Sequence, residues 1–406
     1  MNMRRISRTV IFAAFCGVVA ASASAEFRWV PYLNLESYLG RSNFADSDVN
    51  GFNGNLVFVP GMRFGEKLSV LPTAMLGYRK SRDVQELAGG GFLTQEQQTR
   101  GLSVKGIYVL TPGWKGKLYT SYRQELVKET KDEKWGDGLF DYDKTAVGVE
   151  VEREGDFWKS VRLGADYYTT AFPNFQSLAT KQYGAEINAG EDVLDFSAMD
   201  FSVGADAAVT RKSMLSGYLL GSRRDFSDQK IVKRDGTFSA DTRKDMFTYV
   251  SLAYRYQLPT VALFHVGVES LAGLDASYAL LNSDQHNYDA GRTKFNENYY
   301  DYAELGIGPR VNLRFKEKLS VGLSYLFSTR DYADRPVQRV DGTYTADTIS
   351  SDVTTFRASL GYPLLKGLSL QAQGAWQNAD SNMDYETVYR YNYSSSHYFL
   401  GISYQL

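Results

Sequence analysis

Acid–base or nucleophilic catalysis needs a proton acceptor beside an exposed nucleophile, and this chain offers few candidates for such a pair. It has three histidines, His265, His286 and His397, none beside a Gly-x-Ser-x-Gly elbow. The run Ser394-Ser395-Ser396 leads into His397, but in an extended segment adjacent side chains point to opposite faces, which parts the imidazole from Ser396. No enzyme is expected from these residues. Haem or zinc would require clustered histidines or cysteines. The histidines are scattered and the sole cysteine is Cys16, so no cofactor is expected.

Oxygen ligands give one further motif. Asp46-Ser47-Asp48-Val49-Asn50-Gly51 resembles the opening of an EF-hand calcium loop, with Asp46, Asp48 and Asn50 at alternate positions and glycine at the bend. Its twelfth position is Val57, where the motif demands a bidentate Glu. A polar turn is therefore the expected use of these residues, with calcium the alternative.

Stepping along the chain, alternation of apolar and polar residues dominates. Tyr398, Leu400, Ile402, Tyr404 and Leu406 fall on one face of the last segment, and His397, Phe399, Gly401, Ser403 and Gln405 on the other. Segments around 305–313, 319–328 and 368–377 repeat the pattern, which is that of a strand with one face in an apolar medium and one in water. Hairpins are expected at about 29–62, 68–110, 116–153, 157–210, 214–257, 262–314, 319–361 and 367–406, which gives sixteen strands, with fourteen or eighteen as alternatives. Tight turns separate the hairpins, and excursions of about twelve to twenty-five residues interrupt them. This predicts an all-β fold, an antiparallel up-and-down transmembrane β-barrel with short periplasmic turns and long extracellular loops.

Hydropathy agrees. The mean of −0.34, without an apolar run of about eighteen residues after the first segment, excludes spanning helices. A closed sheet pairs its backbone internally and shows lipid only every second side chain. The 29 tyrosines and 23 phenylalanines gather near predicted strand ends, where amphipathic rings suit a membrane interface. Residues 1–25 read as a secretory signal peptide, with Arg4, Arg5 and Arg8 before the apolar run Val10 to Ala20 and Ala23-Ser24-Ala25 at the cleavage site. Residues 26–406 then form one barrel domain. Three of the 45 basic residues and none of the 47 acidic ones precede residue 26, leaving 42 against 47 and a net charge of −5. Nothing in that balance points to nucleic acid.

Alternation also sorts the charges. It assigns Arg162, Arg255, Arg310, Arg314 and Arg357 to the lumen, with Asp166, Asp206, Glu269 and Glu304 against them. Arg310, Arg314 and Arg357 are expected to form a basic ladder facing acids such as Asp166 and Asp206 across the pore. The competing expectation is cross-strand pairing that stiffens the wall. The longest excursion, roughly 171–194, carries Phe172, Phe175, Tyr183, Glu186, Glu191 and Asp192, as candidates for a constriction or for an ordinary surface loop.

Gly401, Tyr404 and Leu406 resemble the C-terminal signal by which outer-membrane barrels are recognised for assembly, with leucine where phenylalanine is usual. The resemblance is to Gram-negative outer-membrane barrels and, with the strand count, to the general porin class. It implies location in the outer membrane, contact with lipid and lipopolysaccharide, recognition by the barrel assembly machinery, and homotrimer formation. It also implies a channel for passive diffusion of small hydrophilic solutes or ions. An export conduit for a polymer such as an exopolysaccharide, working with periplasmic partners, is one alternative, and a structural or adhesive surface barrel is another.

An internal repeat accompanies this. Ser222, Arg224, Asp225, Phe226 and Asp228 return 106 residues later as Ser328, Arg330, Asp331, Tyr332 and Asp334, and Asp235-Gly236-Thr237 as Asp341-Gly342-Thr343. Asp-Gly between strand-like runs signals a tight turn, so these two excursions are expected to continue as β-ribbons.

Overall fold

The structure, a computed structural model, describes residues 26–406 apart from 46, 88–89, 176–191, 264–265, 289–293, 317 and 387–389. Residues 1–25, expected to be a signal peptide, and Asp46, His265, Tyr183, Glu186 and Glu191 lie outside the described residues.

The first four hairpins are β1 (Phe27–Phe44) with β2 (Ser47–Phe64), β3 (Leu68–Leu87) with β4 (Gly90–Thr111), β5 (Trp114–Lys128) with β6 (Tyr142–Arg153), and β7 (Trp158–Ala171) with β8 (Phe196–Thr210). The second four begin with β9 (Ser213–Val232) and β10 (Phe238–Gln257), followed by β12 (Val266–Ser283) with β15 (Tyr302–Phe315). β16 (Leu319–Gln338) with β17 (Tyr344–Leu365) and β18 (Leu368–Ser381) with β19 (Tyr393–Gln405) complete them. β11 (Val261–Leu263) folds back on β12, and β13 (Asn287–Tyr288) with β14 (Phe295–Asn296) forms a small ribbon of its own.

The sixteen long strands pair antiparallel in chain order, and β1 closes on β19 from Asn34↔Gln405 to Phe44↔Ser395. Closure matters because an open sheet edge in hydrocarbon would leave backbone groups without partners. All eight expected hairpins are present. The β9–β10 and β16–β17 excursions continue as β-ribbons, as the internal repeat predicts, and those of β1–β2 and β3–β4 differ from expectation in being mostly strand as well. β9 and β10 turn at 233–237, and β16 and β17 at 339–343, while β2 begins at Ser47 and β4 at Gly90. About ten tilted residues cross the hydrocarbon, so strands of 18 to 22 residues carry their pairing beyond it as ribbons.

The outer face is apolar and open. Leu39 is 67 % exposed, Leu102 64 % and Phe201 60 %, with Leu163, Leu252, Leu305 and Leu400 similarly bare around the barrel. Each such side chain gains about 1.5–3 kcal/mol on leaving water, and a continuous apolar surface of this kind is foreign to monomers in water. Lipid is the medium that it fits.

Where β1 meets β19 the wall is held by rings on glycines. Tyr38 stands opposite Gly401, and Phe399 opposite Gly40. A Cβ at Gly401 would collide with the Ser37 carbonyl and the Tyr38 ring, and one at Gly40 would lie 2.6 Å from Phe399 Cδ1. Gly401 therefore has a packing task at the seam. Tyr404 pairs with Leu35, and the Leu406 amide donates to the Leu33 carbonyl at 2.9 Å.

Candidate functional site

Residues directly opposite one another in an antiparallel pair share a face, so the register traces lines of side chains around the lumen. One line runs Arg255, Gly273, Arg310, Ser324, Arg357, Ala375, His397. Bases occupy every second strand and small residues lie between them. With strands about 4.8 Å apart, successive bases are about 10 Å apart along the line. Because barrel strands tilt by about 35–45°, the line climbs the axis. Arg255 lies near the periplasmic end of β10, while His397 lies near the extracellular end of β19.

Glycine at 273 leaves room for the two arginine stems, which cross there. A Cβ would lie 2.8 Å from Arg255 Cδ and 3.0 Å from Arg310 Cγ. Both guanidiniums converge on Asp275. Arg255 Nη2 donates to Oδ1 at 2.6 Å, and Arg310 Nε donates to Oδ2 at 2.7 Å. Two cations thus share one carboxylate, and Arg357 has no ion pair among the described residues.

A second line lies one alternation nearer the periplasm and runs Asn312, Gly322, Ser359, Gln373, Phe399. From Arg310 and Asn312 onward the two lines, with Asn53 and Arg79 from β2 and β3, border an open recess of about 500 Å³. Three arginines, three side-chain amides and His397 border it, and among the described residues no carboxylate does.

The wall made by β5–β8 is built differently. Lys117 Nζ donates to Glu150 at 2.5 Å and also to Glu152. Arg162 donates to Asp206 at 2.9 Å, and the Ser160 and Ser216 hydroxyls complete that carboxylate's shell. Glu125 is fully buried. It accepts from Arg123 Nε at 2.5 Å, Gln97 Nε2 at 2.9 Å and Thr99 Oγ1 at 2.8 Å. Asp166 and Asp200 stand directly opposite each other, and the Asp166 carboxylate meets the Tyr119 ring over Gly148.

The ladder candidates therefore separate. Arg310 and Arg357 share a line with Arg255, whereas Arg314 lies two alternations nearer the periplasm, in register with Glu269. Asp206 is taken by Arg162 on the adjacent strand, and Glu304 by Arg330, whose Nε donates to it at 2.8 Å. Asp166 on β7 stands seven of the sixteen strand positions from Arg357 on β17, close to the opposite side of the lumen. Phe172 packs on Tyr142 and Phe175 on Phe140. The Asn174 amide donates to the carbonyls of Gly136 and Gly138, so this end of the longest loop docks on the loop before it. Asp192 is exposed. Asp48 is engaged by Arg41 and by Asn43, which donates to it at 2.8 Å.

His397 Nδ1 lies 2.8 Å from Ser42 Oγ on β1, a pairing that only the closed seam creates. Ser42 is fully buried, so its hydroxyl is withheld from any solute.

At the extracellular rim, the described residues use one clamp four times, which alternation does not report. Asp141, Asp195, Asp301 and Asn392 each immediately precede a returning strand. Each accepts, at 2.7 Å, from the backbone N–H where the outgoing strand ends: Val127, Phe172, Ser283 and Ser381 respectively. The signal was visible as Asp-Tyr, Asp-Phe, Asp-Tyr and Asn-Tyr dipeptides. Burial pushes the Asp141 and Asp301 carboxyls upward, against the pull of the backbone donors. Above the clamps, Arg243 forms a fork with Asp245 at 2.7 and 2.8 Å between Phe226 and Tyr300. Arg335 is enclosed by Tyr299, Tyr332 and Tyr391.

A closed sixteen-stranded cylinder with a lipid-facing apolar belt and a charged, hydroxylated interior is an outer-membrane β-barrel of the Gram-negative envelope. No protein-family model matches the chain, and no curated protein matches it. Among solved structures it is similar to the in-vitro folded trimer form of OmpT, an outer membrane protein of Vibrio cholerae. The identity there is 13 % and the TM-score 0.47, over 94 % of this chain and 99 % of that one. It is similar to a bacterial polysaccharide outer membrane secretin at 9 % identity and TM-score 0.47, covering 93 % and 98 %. It is also similar to Pseudomonas aeruginosa OccK2 (OpdF) in complex with glucuronate, at 12 % identity and TM-score 0.45, covering 93 % and 97 %.

Proposed function

We propose that this barrel is a channel for passive diffusion of small hydrophilic solutes across the outer membrane. The observation that carries the reading is the climbing line of Arg255, Arg310, Arg357 and His397, which sets polar groups at successive depths along the lumen. Sixteen strands enclose more space than side chains fill, and a wall of hydroxyls, amides and guanidiniums replaces part of a solute's hydration shell as it passes. The apolar belt faces lipid and lipopolysaccharide.

Single-channel recording of the mature barrel in planar bilayers tests this. Ohmic conductance without added proteins is expected. A barrel that conducts only with periplasmic partners would transfer the reading to polymer export, and one that never conducts would leave a structural or adhesive role.

A further inference from the structure

The acid-free cavity is shaped for more than transit. Ion selection by a wall requires only net charge, but this recess sets fixed guanidiniums beside neutral donors and acceptors. Arg357 projects from β17 with no carboxylate to neutralise it among the described residues, and Arg310, held by Asp275, stands two strands away on the same line. Asn312, Ser359 and Gln373 follow on the adjoining line. Phe399 closes that line with an apolar ring fixed over Gly40.

Arginine forks grip planar oxyanions, amides and hydroxyls grip sugar-like hydroxyls, and about 500 Å³ is ordinary for a site holding a small molecule. From this geometry we infer that the recess is a binding site for an organic anion of monosaccharide size, its oxyanion on the Arg357 fork and its hydroxyls on the amide line. Acting as a waystation for the permeating solute, it rests on the channel reading and names the solute class.

Titration calorimetry of the detergent-solubilised barrel tests the site without requiring conductance. D-gluconate is the probe, with glucose and inorganic phosphate as comparisons. Gluconate is expected to bind, glucose to give no heat, and phosphate to bind at least about tenfold more weakly than gluconate. Arg357→Gln should weaken gluconate binding by about tenfold or more, and Lys318→Gln on a periplasmic turn should leave it unchanged. Arg357→Lys, which keeps the charge without the fork, should fall between, and supplies a second variant should the glutamine form fail to fold. Glucose 6-phosphate bound as well as gluconate would extend the anchored group from carboxylate to phosphate and support the site.

No heat from gluconate, equal binding of glucose, or phosphate binding as tight as gluconate would each overturn the inference. Ohmic conductance without gluconate binding fails the site alone. Gluconate binding in a barrel that never conducts fails the channel reading alone.

Discussion

The wall of β5–β8 and the wall of β15–β19 come from the same alternation of residues, yet their charges have different tasks. On the first, cations meet carboxylates within one or two strands: Lys117 with Glu150, Arg162 with Asp206, Arg123 with the buried Glu125. On the second, Arg330 still meets Glu304, but the acid-free recess leaves Arg357 unneutralised, and the adjoining seam with β1 is held by packing of Tyr38 and Phe399 on Gly401 and Gly40. A lumen wall can thus be stiffened by ion pairs or kept available for solutes. The difference lies in whether a small residue or a carboxylate stands beside each base.

The largest effect that would sharpen this contrast is at the seam. Gly401→Val sets a branched side chain against the Ser37 carbonyl and the Tyr38 ring, and overpacking at a backbone atom cannot be relieved by a rotamer change. Refolding into detergent micelles should fail or drop to a small fraction of the wild-type yield, read as the heat-modifiable band on electrophoresis. Refolding proceeds without the assembly machinery. Normal yields in micelles with failed assembly in cells would leave Gly401 as a recognition signal only.

Next in size is Glu125→Ala. It strips the buried acceptor from Arg123, Gln97 and Thr99 and should lower stability by about 3 kcal/mol in guanidinium unfolding. Arg357→Ala, on the other wall, should change it by no more than about 0.5 kcal/mol. Equal losses would erase the distinction between paired and available charge.

A smaller, electrical effect is expected from Asp275→Asn, which removes the carboxylate shared by Arg255 and Arg310. The basic line then gains one uncompensated charge, and the anion-to-cation permeability ratio, from reversal potentials in a salt gradient, should rise about twofold. An unchanged ratio would mean that the line lies off the conduction path.

How much of this was legible follows from what alternation encodes. A period of two gives the face of every strand residue, so the barrel, its eight hairpins and the lumenal side of Arg162, Arg310 and Asp206 could be read directly. It does not give register, because which residue stands beside Arg357 depends on pairing between strands whose offset is set by distant turns. Hence alternation groups Arg314 with Arg310, whereas only register shows that Arg255 shares the line and the carboxylate of Arg310. The Ser42–His397 contact depends on closure of first strand against last, which no local pattern reports. The rim clamps were readable in principle, since Asp or Asn before an aromatic recurs four times, but dipeptides in polar loops acquire meaning only when the facing backbone N–H is known.

The smallest expected effect lies at two loop tips that the contrast between walls should leave untouched. The turns at 233–237 and 339–343 are one unit used twice. In each, a glycine at φ of +83° or +82° follows an aspartate whose Oδ1 accepts from the amide and hydroxyl of the next threonine. Those two bonds, the hydroxyl's first, hold Asp235 and Asp341 below the usual carboxylate range. Because the folded values are depressed, the carboxylates support the turns above the ordinary Asp pKa, and that support fades as pH falls through the lowered values. Hydrogen-exchange protection of the Thr237 and Thr343 amides should therefore hold from about pH 7 to about pH 5 and decline together below about pH 4, while barrel stability stays level over the first interval. Decline at one tip alone would mean that the surrounding loops, rather than the shared turn chemistry, set the order there, and the two halves of the rim would then differ as the two walls of the lumen do.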